Sequence, residues 1–164
     1  DGFELTLDCP NDRYINDEAI CVAAIGMFAK IGVTVNLDAK TKSQHFSEVK
    51  EGDANGMTSD MYMLGWGVPT FDSHYVYSYL FDSAGSWNKV NFSNARVDEL
   101  VAAMGVETDL DKRNAMIAEA WDITQDDVTY LPLHHQVVNQ ASKSSVDVPI
   151  RMNNEPLFRF ANVN

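Results

Sequence analysis

With 164 residues the chain is long enough to bury a core unaided, and one domain is the default expectation. Its 24 acidic residues outnumber 12 basic ones for a formal charge of −12, which repels phosphate backbones and anionic lipid and argues against nucleic acid as a partner. The 45% hydrophobic and 22% charged content is that of a globular protein, and no apolar run approaches the roughly 18 residues of a membrane span.

The N-terminal "DGFELTLD" has neither a basic n-region nor an apolar h-region, so no signal peptide is expected within the chain. "FELTLDC" (3–9) alternates Phe3, Leu5 and Leu7 against Glu4, Thr6 and Asp8, the period-two pattern of a half-buried strand. After the turn "PNDRYIN", Asn16 or Asp17 can cap a helix with Ile20, Ala24, Met27 and Ile31 on its inner face and Gly32 just past its end. "VTVNLDAK" (33–40) reads as the second strand. Strand, helix, strand is the grammar of a parallel βαβ unit, so the fold class is α/β. Cys9 and Cys21 are spaced for a small disulfide loop, with two buried free thiols as the alternative.

A short helix at 43–51 would turn Phe46 and Val49 inward, and the Gly-, Asn- and Asp-rich 51–60 is expected as a solvent-facing loop. "MYMLGW" (61–66) reads as a third strand. Helices are expected at 73–81, from the cap Asn94 with Val97, Leu100, Val101 and Met104 on one side, and from about 110 to 126 with Met116, Ala120 and Ile123 buried. "TYLPLHHQVV" (129–138) reads as a further strand, with Pro132 at an edge or start, and the alternating tail "PLFRFANV" as an edge strand. No repeat, low-complexity run or linker interrupts the chain, so 1–164 is expected as a single domain.

Chemistry-bearing motifs are few. Adjacent His134 and His135 on a strand point to opposite faces and cannot converge on one metal ion. Asp53, Asn55 and Asp60 lack the spacing and distal Glu of an EF-hand loop. Ser, His and Asp in "FDSHY" are consecutive and cannot form a catalytic relay, and no phosphate loop or dinucleotide fingerprint is present. No metal, no cofactor and no catalytic set are expected. What remains is the aromatic-rich stretch 60–81. Its strand ends at Trp66, where α/β sheets bind ligands, and Gly65 and Gly67 leave the indole unshielded. Pro69 stiffens the loop, and Asp72 can cap the next helix. Phe71, Tyr75, Tyr79, Leu80 and Phe81 are expected in the core. Arg13 can meet either an anionic ligand or the nearby Asp17.

The stretches "PNDRYINDEA", "FAKIGVTVNL", "YMLGWGVPTFD", "NFSNARVDELV" and "ETDLDKRNAMIAEAWDITQDDVTYLPLHHQ", in that order, resemble the C-terminal lobe of the peptide-type solute-binding proteins of ABC importers, the dipeptide, oligopeptide and nickel group. The resemblance covers nearly the whole chain. It implies a periplasmic-binding-protein-like lobe with a central, mostly parallel sheet flanked by helices. It also implies a periplasmic or extracellular, membrane-associated receptor whose larger N-terminal lobe and signal peptide lie outside this chain. The expected function is capture of a peptide or other small molecule between two lobes and delivery to the permease subunits, without catalysis. Expected partners are the ligand, the missing lobe and the permease. The alternatives are an α/β hydrolytic enzyme domain, which would need a nucleophile, base and oxyanion donor together, or a ligand-free signalling module. Within the resemblance Trp66 takes a ligand-facing role, Pro69 stands where dipeptide receptors carry an Asp for the peptide ammonium, and Asp72 matches another frequent Asp. The expected ligand-binding set is Gly65, Trp66, Gly67, Pro69, Asp72 and, from "LPLHHQ", His134.

Overall fold

The computed structural model describes residues 2–51 and 59–164, with only the backbone of Glu51 described. The chain divides into two compact units, Asp1–Leu131 and Pro132–Asn164. The polar loop expected at 51–60, with Asp53 and Asn55, falls outside the described residues except at its ends.

In the first unit β1 (Phe3–Pro10), α1 (Asp17–Ala29) and β2 (Val33–Lys40) form the expected βαβ unit, and the two strands pair in parallel from Phe3↔Val33 to Pro10↔Lys40. After α2 (Lys42–Glu51), β3 (Met61–Tyr62) adds to the other side of β1, again in parallel, giving the order β2-β1-β3. Leu7, Cys9, Cys21, Val33 and Val35 form the core beneath α1, and a disulfide joins Cys9 to Cys21.

Three expectations need correction here. The α1 face is rotated: Asp17 and Cys21 are buried, whereas Met27 and Ile31 are 66% and 74% exposed. The helix is apolar nearly all round, so spacing alone does not select a side, and the disulfide together with the Asp17 hydrogen bonds fixes the choice. β1 is more than half-buried, because Leu7, Asp8, Cys9 and Pro10 are all buried. On the face read as polar, the His45 ring of α2 covers Asp8, with Nδ1 2.7 Å from Asp8 Oδ1.

The third strand is two residues long, not six. The Met63 N–H donates to Asp8 O (2.9 Å), so in a parallel ladder the next donor, to Met63 O, would be the N–H of residue 10. Proline has none, and the ladder stops. His45 Nε2, 3.0 Å from Met63 O, takes that rung instead.

A second core lies among the helices. α3 (Ser73–Val76) runs into a π-helical turn, Tyr77–Phe81, and packs with α4 (Ala95–Met104) and α5 (Leu110–Asp127) around Tyr77, Leu80, Phe81, Phe92, Val97, Leu100, Val101, Met104 and Ala120. The α4 face is the expected one. Asn94 and Asp109 cap α4 and α5 by accepting backbone N–H bonds.

In the second unit β4 (Val146–Asp147) and β5 (Asn162–Val163) pair antiparallel, and a 3-10 turn spans Phe158–Phe160. The tail thus pairs in its own two-stranded ladder and not at the edge of the main sheet. Residues 131–140 carry no ladder among the described residues and are exposed, so the strand expected at 129–138 does not form.

Candidate functional site

Between β3 and α3 the chain passes from one core to the other. Met61 and Met63 pack against the sheet-side core, while Leu64 and Trp66 pack against the helical one. The segment therefore crosses the carboxyl end of β3 as a stretched connection anchored at both ends. The Tyr14 hydroxyl donates to Gly65 O (3.4 Å), and a Cβ on Gly65 would stand 2.6 Å from Tyr14 Cε1. Gly65 is thus required for the close approach of that ring, whereas Gly67 has open space around it.

Trp66 is half-buried. Its indole meets the rings of Tyr75, Tyr79 and Trp87 at centroid distances of 6.1, 5.8 and 5.8 Å, and Tyr75 and Tyr79 stack on each other at 4.7 Å. Trp66 Nε1 is buried with no hydrogen-bond partner among the described residues. A buried N–H left unpaired costs about 1–3 kcal/mol.

The Phe71 N–H donates to Val68 O (3.0 Å), closing a turn that exposes Gly67, Pro69 and Thr70. Phe71 lies at φ 54 and is 61% exposed, so it is not the core residue its spacing predicts. Tyr79, 37% exposed, is likewise on the outside, whereas Leu80 and Phe81 are buried.

Asp72 caps α3 by accepting the His74 N–H at Oδ1 (2.8 Å). Arg113 closes on the same carboxylate, with Nη1 2.8 Å from Oδ2 and Nη2 2.9 Å from Oδ1, while its Nε donates to Met104 O (3.0 Å). The Arg113 bonds hold the Asp72 carboxyl below its ordinary value of 3.8, and the His74 N–H adds to the effect. Asp72 is thus engaged on both oxygens.

Arg13 donates its backbone N–H to Asp17, but its guanidinium stacks on the Tyr14 ring at 4.9 Å and makes no ion pair among the described residues. Asp17 is buried, which pushes its carboxyl up, yet the N–H groups of Tyr14, Arg13 and Glu18 more than offset this and hold it below 3.8. Of the sequence-derived set, Gly65, Trp66, Gly67, Pro69 and Asp72 share this rim. His134 lies in the second unit and is exposed.

Arg113, Tyr14, His45 and the buried Asp8 were missed. Arg113 alone left a trace, because a cation in the first turns of a helix opposes the helix dipole and so calls for a partner. Asp8 and His45 are both 0% exposed, and with Lys40 Nζ 3.3 Å from Asp8 Oδ2 they form an internal ion network out of reach of any substrate.

No protein-family model matches the chain. It is 28% identical over 153 residues to di/tripeptide-binding protein 3 of Pseudomonas aeruginosa (strain UCBPP-PA14), covering 89% of this chain and 27% of that protein. It is 26% identical over 137 residues to the glutathione-binding protein GsiB of Salmonella typhimurium (strain LT2), covering 81% and 27%. The dipeptide-binding protein of Pseudoalteromonas sp. SM9913, solved in complex with Met-Leu, matches with a TM-score of 0.80 at 20% identity over 99% of this chain and 32% of that one. The structural likeness shows a periplasmic-binding-protein-like α/β fold, and the chain spans 27% of the length of these curated relatives.

Proposed function

We propose that this chain is a solute-binding lobe of a bilobal, extracytoplasmic ABC-importer receptor. In this role the rim from Gly65 to Asp72 forms one wall of an interlobe cleft. The receptor closes on a peptide or peptide-like solute and delivers it to the permease subunits in the membrane. The observation that carries the proposal is the half-buried Trp66 indole, ringed by Tyr75, Tyr79 and Trp87 and set beyond the carboxyl end of a parallel strand. An aromatic face offers stacking area. Arg13 adds a cation beside the Tyr14–Gly65 contact, suited to a carboxylate on the solute. The names of the sequence relatives, dipeptide- and glutathione-binding proteins, support the same solute class.

The lobe works by binding and not by chemistry. Its buried carboxylate–imidazole pair, Asp8 and His45, is spent on the sheet. Native mass spectrometry of the full-length protein, purified with its retained solute, should show a small peptide-like mass. Trp66→Ala in that protein should weaken solute binding by about 1–3 kcal/mol by calorimetry. Unchanged affinity with an unchanged melting curve would return Trp66 to a purely structural role.

A further inference from the structure

We propose that Arg113 sets the chemical class of the group seated on Trp66: by engaging both Asp72 oxygens it leaves the rim without a free anion, so the rim accepts an uncharged ring or apolar side chain and not an ammonium. The inference rests on the cleft assignment above. From Met61 to Ser73, Asp72 is the only residue charged at neutral pH, and so the only group there to which an ammonium could pair ionically. Its two oxygens meet a two-toothed guanidinium at 2.8 and 2.9 Å, a charge-assisted bidentate geometry that fixes both partners.

The guanidinium is itself fixed. Its Nε donates to Met104 O at the end of α4, so Arg113 cannot swing away without leaving a helix-terminal carbonyl unpaired. With the anion silenced, the rim presents the Trp66 indole, the outward Phe71 ring, and Tyr75 and Tyr79 beside it. Phe71 is held in a left-handed backbone between the Val68–Phe71 turn and the clamped Asp72, which keeps its ring on the surface. Arg113 is thus a positioning and specificity-determining residue that acts through Asp72.

The test titrates the full-length protein with Ala-Phe and N-acetyl-Ala-Phe and follows the ratio of the two affinities. Asp72→Asn should leave that ratio within about threefold of the wild type. Arg113→Gln, which frees the carboxylate, should shift it about tenfold or more toward the free amine, and Arg113→Lys should shift it less. An Asp72→Asn variant that loses about tenfold of a free-amine preference overturns the proposal, as does a folded Arg113→Gln protein with the wild-type ratio. Should Arg113→Gln fail to fold, the Asp72→Asn ratio decides alone. A wild type that binds neither peptide overturns the peptide-like assignment and this proposal with it, whereas binding with the wrong ratios sinks only this one.

Discussion

A methyl group at Gly65 would meet the Tyr14 ring at 2.6 Å, so ring and loop cannot both keep their places. Gly65→Ala should therefore lower stability by about 1–3 kcal/mol in thermal melts, and the penalty should shrink in a Tyr14→Ala background where the obstacle is gone. Asp72 makes a prediction about acid. Its folded pKa lies below the unfolded value of 3.8, so its contribution is complete above that value and is lost as pH falls through the folded pKa. Arg113→Leu should make unfolding less sensitive to pH below about 4, measured by denaturant titration at successive pH values. At this scale the sequence was legible where local chemistry speaks, as with Asp72 in capping position, whereas Trp66, read as the end of a strand, lies four residues past it. It was silent on Tyr14 and gave no partner for Arg113, since the partners of both come from distant segments brought together only by folding.

The βαβ opening was readable because β1 and β2 alternate and the helix between them is long. The side α1 turns to the sheet was not, since an apolar surface all round gives periodicity nothing to distinguish. The Cys9–Cys21 bridge settles that orientation and should contribute to stability as well. For a loop of this size, with the cysteines twelve positions apart, replacing both by Ser should cost about 3 kcal/mol in denaturant unfolding. Thiol labelling of the denatured, unreduced chain should find neither cysteine reactive. The third strand was overread because its hydrophobicity continues past its hydrogen bonds. Met61 to Trp66 is apolar, but its later residues serve the helical core while Pro10 has already ended the ladder.

Taken as one molecule, the chain carries a charge of −12 spread over 164 residues, and self-repulsion opposes its compaction. Raising salt from about 0.01 M to about 0.15 M shortens the screening length from roughly 30 Å to roughly 8 Å and should raise the melting temperature in calorimetry. The α/β class and the order of the main elements were legible at this scale, because they follow from patterns many residues long. The division into Asp1–Leu131 and Pro132–Asn164 was not, since no change of composition marks position 132. The rung to Met63 O comes from the side chain of His45 and not from the main chain. A main-chain amide is present whatever residue is chosen, except proline, but an imidazole vanishes with a single codon. The fold has thus entrusted a piece of its architecture to a replaceable part, and Pro10→Ala should restore, in a His45-deficient variant, the donor that Met63 has lost.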